Sequence, residues 1–377
     1  MLPFDYQPRT RVVFGEGALW RLGELAREQG ATRVLVVTDP GIAAVGHAAS
    51  AADVLRRAGI AVSVFDGVRE NPDTRVVDSC VEAARVFRAD LLVGLGGGSA
   101  MDTAKGANFL LTNGGTMKDY HGVGKASKPM LPLIAVPTTA GTGSECQSFA
   151  LISDPVTHLK MACGDSKAAA RAAILDPLLT LSQPPRVTAC TGIDALVHAL
   201  ETAVTRKRSA VSLLFSREAF RLLFDALPAV LTDPTDVAAR GAMLLGAAYA
   251  GTAIENSMLG CAHSAANPLT ARYGIVHGQA VGRLISHVMR RNAQEPWVAD
   301  EYNLLAALVG LSSFEPMLSQ IELLLEQAHL DSGFARSGMV KTDIPSLALE
   351  ASSQWTATFN PVSYGVSDFE ALYEEVL

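Results

Sequence analysis

The pattern of apolar and polar positions changes once along the chain. In the first half, short apolar runs alternate with segments whose apolar residues recur every three or four positions. RVLVVTD (Arg33 to Asp39) is a β-branched run ending in an acid, and a helical stretch follows through about Arg57. AVSVFDG reads as a strand, Ser79 to Phe87 as part of a helix, and DLLVGLGGGS as a buried strand running into glycines. LPLIAVPTT (Leu131 to Thr139) and AAILDP around Ile174 read as further strands of the same layer. Alternation of this kind predicts βαβ units and a parallel sheet covered by helices.

After QPPRV the strand signal disappears. From about Val187 onward, segments such as VSLLFSREAFRLLFDAL and FEPMLSQIELLLEQA keep helical periodicity. The chain is therefore divided near residue 181, into a Rossmann-like α/β domain (1–181) and an all-α domain (182–377). There is no internal repeat and no low-complexity linker, so the two halves are expected to pack together and form a cleft, a favoured place for ligands.

Composition narrows the class. With 377 residues, 49% of them hydrophobic and 18% charged, the chain can bury two large cores. A net charge of −7 argues against a nucleic-acid partner. The one basic run, Arg206, Lys207 and Arg208, reads as a solvated helix end. Cys80, Cys146, Cys163, Cys190 and Cys261 are scattered without a CxxC pair, which fits a reducing, cytoplasmic setting. The N-terminus has no basic segment followed by an apolar one, so no export signal is expected. Gly241 to Ile254 is apolar but too short and too rich in Gly and Ala to span a bilayer, and it reads as a helix packed on all sides.

GLGGGSAMDTAK follows a buried strand and opens a helix. Successive glycines let backbone N–H groups approach an anion, and a helix N-terminus adds about half a positive charge. The GxGxxG fingerprint is not met, since the relevant positions are Gly94, Gly96 and Ser99, and no Gly-Lys-Ser/Thr follows to make a P-loop. A strand-to-helix turn with glycines only for packing remains the plainer alternative. A second loop, PTTAGTGSE (Pro137 to Glu145), also ends a strand with hydroxyls and glycines. Together with the strand-end acid Asp39, the two loops point to a dinucleotide.

TGIDALVHALET carries Asp194 and His198 at i and i+4, on one helical face. His263 and His277 would complete a set of one carboxylate and three imidazoles. Each histidine by itself is as readily a core or surface group. Around a divalent ion the set leaves a net charge of about +1, suited to neutralising charge that develops on a carbonyl oxygen. Nitrogen and oxygen donors admit Fe2+, Zn2+, Co2+ or Mn2+ alike.

GGGSAMDTAK, PTTAGTGSE, DALVHALE, and His263 with the VHG of 276–278 resemble the iron-dependent (group III) alcohol dehydrogenases, and the likeness runs through nearly the whole chain. The resemblance implies the architecture shared with dehydroquinate synthase. It places Asp39 by the adenosine ribose, and Asn71, Gly97, Gly98 and Ser99 by the phosphates. Thr138 and Thr139 would lie beside the pyrophosphate and nicotinamide, with Lys160 and Leu179 at further cofactor positions. The metal would sit on Asp194, His198, His263 and His277, with Fe2+ expected and Zn2+ as the alternative. The chain departs from the family at Asn267, where many members have a third histidine thought to move the alcohol proton. His277 and Asn267 are the catalytic candidates.

The expected activity is metal-dependent hydride exchange between NAD(H) and a small alcohol and its aldehyde or ketone. A hydroxy acid or other carboxylate-bearing substrate is the alternative, for which Arg272 or Arg283 would supply the cation. A lyase of the dehydroquinate synthase type and a non-catalytic nucleotide-binding protein are the remaining rivals. A homodimer or higher homo-oligomer is expected, with neither nucleic acid nor membrane as partner.

Overall fold

The computed structural model describes residues 3–157 and 159–377. The chain divides into two compact units: residues 7–183, and Pro184–Leu377 together with the residues up to Tyr6. The Tyr6 ring lies against Phe215, with centroids 6.2 Å apart.

Among the described residues the first unit contains nine strands: β1 (Arg11–Phe14), β2 (Arg33–Val37), β3 (Ala61–Phe65), β4 (Leu91–Gly96), β5 (Gly122–Val123), β6 (Leu133–Pro137), β7 (Phe149–Ser153), β8 (Lys160–Gly164) and β9 (Ala172–Leu175). Six of them form a parallel sheet in the order β1-β9-β6-β4-β2-β3. Its helices are α1 (Leu22–Glu28), α2 (Pro40–Ala44), α3 (His47–Arg57), α4 (Thr74–Phe87) and α5 (Gly98–Asn113).

Side chains on a strand alternate between faces, so each buried strand feeds two cores. Val34, Val36, Leu91, Val93 and Leu95 pack with Leu22, Leu25, Ala51 and Leu55 of α1 and α3. Leu35, Val37 and Leu92 pack with Val77, Val81, Met101 and Ala104 of α4 and α5.

Three local features differ from the sequence reading. The stretch after Asp39 is two helices, broken at Gly46, whose φ of 90° only glycine adopts without strain. The helix expected around Ser79 begins at Thr74, because the Asp73 carboxylate accepts from the N–H groups of Arg75 and Val76 and caps it. Strands β5, β8 and β7 form a small second sheet, in segments where no strand is expected from sequence.

The second unit is helical: α6 (Pro185–Val204), α7 (Ala210–Thr232), α8 (Val237–Glu255), α9 (Cys261–Tyr273), α10 (His277–Asn292), α11 (Pro296–Leu308), α12 (Phe314–Gln327), α13 (Ile344–Ser353) and α14 (Val366–Val376). Proline at the first position starts α6, a Ser209/Ser212 capping box starts α7, and Asp236 caps α8. α8 runs beyond the apolar stretch expected, to 19 residues. By length and composition alone α6 and α8 could cross a bilayer, yet 89% and 67% of their apolar windows are buried inside the protein. The basic run after α6 is not a free helix end. Arg206 donates to the Pro361 carbonyl and Ser363 Oγ, Lys207 lies over Phe359, and Arg208 stacks on Trp297 at 3.6 Å.

Candidate functional site

In the α/β unit the crevice lies where the crossovers reverse. From β2 the chain runs outward to β3, whereas β4 leads the other way towards β6. Ligands of parallel α/β sheets bind beyond the carboxyl ends of such a pair. Asp39 follows β2 there, and Gly96 ends β4 with Gly97 and Gly98 after it. One Asp39 oxygen caps α2 by accepting from Ile42 N at 3.0 Å. The other faces the glycine loop, 3.3 Å from where a Cβ on Gly96 would stand.

α5 begins at Gly98 with Gly97 as N-cap, and no described side chain caps it. Its first N–H groups are thus open to an anion, with Ser99 in the first turn. The second loop closes on the first: a Cβ on Gly98 would come within 2.8 Å of Thr142, and Gly97 faces Thr139. Thr138 is buried, ties its N–H to the Gly96 carbonyl at 2.9 Å, and keeps a bare Oγ1 among the described residues. Asn71, left-handed at φ 49°, accepts from Lys160 Nζ at 3.3 Å, so these two candidates meet. Leu179 is buried within the sheet core. The open helix end, the glycines and the bare hydroxyl fit a dinucleotide phosphate.

A buried network holds this second loop. Lys105 Nζ donates to the Ser144 carbonyl at 2.6 Å, to Ser144 Oγ at 2.9 Å and to the Phe149 carbonyl at 3.1 Å. Ser144 Oγ in turn donates to Asp102. Next to it, Glu145 is 1% exposed with a bare Oε1, and burial pushes its carboxyl up to about 7. The fold therefore favours the protonated acid. Its contribution to stability is fully present below the ordinary value of 4.5 and is lost as pH rises through about 7. The expected loss is about 3 kcal/mol, and Glu145→Gln should remove it. Denaturant midpoints of both proteins from pH 4.5 to 8 check this, and parallel curves would contradict it.

In the helical unit, α6 carries Asp194 and His198 one turn apart. α9 carries His263, ends at Gly274 in the left-handed conformation (φ 64°), and a short turn starts α10 at His277. The four side chains predicted from sequence converge. Asp194 Oδ1 lies 3.6 Å from His198 Nε2, 3.5 Å from His263 Nε2 and 3.9 Å from His277 Nε2. Ligand atoms of Asp194, His263 and His277 all fall within 4.8 Å of one another, and the His198 ring stacks on His263 at 4.7 Å.

Asp194, His198 and His263 are buried, and His277 is half-buried. Asp194 Oδ1 and His263 Nε2 have no hydrogen-bond partner among the described residues. Bare buried polar atoms are costly, and a cation between them removes that cost, so the donor set fits a divalent metal. Burial opposes ionisation of Asp194, but the facing imidazoles hold it well below the usual carboxylate range. Burial likewise opposes charge on His263, yet Glu201 and Asp194 push it up to about 9.

Glu201 was not singled out from sequence. It is 3% exposed and accepts from Gly260 N at 2.9 Å and Ala262 N at 2.7 Å, and its Oε2 lies 2.6 Å from His263 Nδ1. The signal was available, since 194, 198 and 201 are i, i+4 and i+7 on one face. Asn267, one turn after His263, donates to Gln354 Oε1 at 3.2 Å. Arg272 is held in an ion pair with Glu350 and bonds Ser346 Oγ at 2.7 Å. Arg283 is half-buried on α10.

Residues 8–177 match the family described as iron-containing alcohol dehydrogenase, and residues 188–377 match the C-terminal part of the Fe-containing alcohol dehydrogenase family. An NAD-dependent methanol dehydrogenase of Bacillus methanolicus is 33% identical over 371 residues, covering 97% of each chain. A 1,3-propanediol oxidoreductase structure superposes with a TM-score of 0.95 at 30% identity, over 100% of both chains. The structure of sulfoacetaldehyde reductase from Bifidobacterium kashiwanohense in complex with NAD+ does so at 0.91 and 28% identity, covering 100% of this chain and 99% of that one.

Proposed function

The chain belongs to the iron-containing alcohol dehydrogenase family and is an NAD(H)-dependent oxidoreductase of alcohols and aldehydes that works with a divalent metal; from this premise we propose that Asp194, His198, His263 and His277 hold the metal. The observation that carries the assignment is the convergence of three imidazole Nε2 atoms on the buried, bare Asp194 Oδ1. The proposal includes a division of labour, with dinucleotide binding in residues 1–181 and metal and substrate binding in residues 182–377. Fe2+ is the proposed metal, and the same donors accept Zn2+.

Bound in these places, the cation supplies Lewis acidity towards the substrate oxygen and the nicotinamide gives or takes the hydride. The chain's own part is placement. Gly97, Gly98, Ser99 and the first turn of α5 would bind the phosphates, Asn71 with Lys160 would line the same path, Thr138 and Thr139 would border the pyrophosphate and nicotinamide side, and Leu179 would take a further cofactor position. His277 would hold the substrate side of the metal set. Asn267 hydrogen-bonds but takes up no proton near neutral pH, so its proposed role is to orient the substrate hydroxyl, and the proton leaves by another route.

Asp39 would accept from the ribose hydroxyls and repel a 2′-phosphate. Asn caps helices as well as Asp does, so Asp39→Asn should leave α2 intact while raising the NADP-to-NAD ratio of kcat/KM by about tenfold or more. A wild-type enzyme that already prefers NADP would sink this role for Asp39.

The proposed substrate is a small alcohol with its aldehyde or ketone. Neutralisation of Arg272 by Glu350 counts against it as an anchor for a hydroxy acid. The proposed homodimer draws support from β1, an edge strand exposing Val12 and Phe14. The proposed cytoplasmic setting draws support from five buried cysteines, with no disulfide among the described residues. The test of function is NADH formation with short alcohols, diols and hydroxy acids, before chelation, after it, and after return of Fe2+, Zn2+, Co2+ or Mn2+. Activity indifferent to chelation, or hydroxy acids leading in kcat/KM, would reject the reading.

A further inference from the structure

We propose that Glu201 is a positioning residue which fixes His263 as the Nδ1–H tautomer, so that the Nε2 lone pair is presented to the site around Asp194 Oδ1. The inference rests on the reading of His263 as a metal ligand. Three features of the geometry carry it. First, Glu201 is almost fully buried, and a buried carboxylate is costly unless its oxygens are satisfied. Second, both oxygens already accept: Oε1 from Ala262 N at 2.7 Å and Oε2 from Gly260 N at 2.9 Å. Third, Oε2 also stands 2.6 Å from His263 Nδ1. A carboxylate used as an acceptor on both oxygens requires the ring nitrogen to be the donor, which leaves the other nitrogen free to ligate.

The same carboxylate serves α9. That helix begins after Gly260 with no side-chain cap of its own, so the α6 carboxylate takes the orphan N–H groups and meets the positive end of the helix dipole. Gly260 makes room for this, since a Cβ there would stand 3.0 Å from Glu201 Oε1 and 2.7 Å from Asn360 Oδ1. Asn360 Oδ1 accepts from Cys261 N at 3.2 Å, so it supports the same helix end without bonding the His263 ring. Asp194, His198 and Glu201 therefore form one continuous face of α6, two members of which would hold the cation while the third meets the back of the His263 ring from another helix. Partners of this kind behind a ligating histidine typically change metal affinity by about 10–100-fold.

The test uses the full chain and Zn2+. Glu201→Gln keeps the volume but removes the charge and leaves one acceptor oxygen for the three N–H donors of Gly260, Ala262 and His263 that face the carboxylate, and should weaken Zn2+ binding by about 10–100-fold in competition with a chelator. Glu201→Asp, still acceptor-only, should weaken it less. Asn360→Ala, which removes the bonds to Cys261 N, Asn292 and the Val362 carbonyl but none to the His263 ring, should lower thermal stability with Zn2+ affinity kept within about threefold, a small fraction of that range. In the Zn2+-loaded wild type, two-bond 1H–15N spectra should show His263 protonated on Nδ1. Wild-type affinity in Glu201→Gln, equal weakening in Glu201→Gln and Asn360→Ala, or a proton on Nε2 in the wild type would each overturn the proposal. Should Glu201→Gln fail to fold, the wild-type spectrum and Glu201→Asp still decide it. Unchanged Zn2+ binding in His263→Ala would instead reject the ligand reading itself.

Discussion

Asp194→Asn is expected to release the divalent metal and lower kcat by about 10³-fold or more, the several kcal/mol that Lewis-acid stabilisation typically supplies. Asp194 is the only carboxylate of the set, and its Oδ1 is the point on which the three imidazoles converge. The amide keeps the size of the side chain but removes the negative charge that a divalent ion pairs with. Little folding cost is expected from lost bonds, because Oδ1 has no hydrogen-bond partner among the described residues. The signature is therefore specific. Metal present at about a thousand times its dissociation constant should stabilise the wild-type protein by about 4 kcal/mol, and the variant should lose that metal-dependent increment, read as the difference between its melts with and without metal. Elemental analysis, thermal melts with and without metal, and steady-state rates check it. A variant that loses metal yet turns over at the wild-type rate would refute the role of the ion, and one that keeps metal at full affinity would refute Asp194 as a ligand.

Gly278→Ala should be among the most destabilising single methyl additions in the chain. A Cβ at Gly278 would stand 1.9 Å from the carbonyl oxygen of Cys190 and 2.6 Å from its carbon, and both atoms are backbone of α6. Flexible side chains can give way to a methyl, but a helix backbone cannot without moving the whole helix. Gly282, one turn on, meets side-chain ends instead, Ile193 Cγ2 at 2.6 Å and Leu325 Cδ2 at 2.7 Å. The expected order is thus Gly278→Ala worse than Gly282→Ala. Overpacking of the first kind costs about 3 kcal/mol or more, a fall of roughly 10 °C in Tm for a unit of this size. Because His277 begins α10 and Asp194 and His198 ride on α6, the same methyl should also pull the metal donors apart. Melting curves and Zn2+ titrations of both variants check this, and a Gly278→Ala protein as stable as wild type would contradict the close helix approach.

Much of this site is legible along the chain. DALVHALE puts residues 194, 198 and 201 on one face because a helix turns every 3.6 residues, and that follows from local geometry before any tertiary contact forms. The glycine loop announces itself in the same way, as a buried strand ending in residues that permit close backbone approach and then a helix. Boundaries were less legible where a cap or a single conformation decides them, as at Asp73 and Gly46.

Partnership across elements was not legible. His263 and His277 were candidates by residue type, but their meeting with Asp194 depends on α9 ending at Gly274 and α10 seating Gly278 against the Cys190 carbonyl. Glu201 reads as one more polar residue on α6 until Gly260 lets the start of α9 come down on it. Arg272 reads as a free cation until α13 brings Glu350 to it. Sequence by itself determined the alternation of strands and helices, the two phosphate-type loops and the spacing of ligands on one helix, because each depends on dihedral preference and periodicity within a few residues. Only the tertiary structure decided which side chain stands behind which ligand, because that depends on how closely helices far apart in sequence approach, and packing sets that distance to within the width of a methyl group.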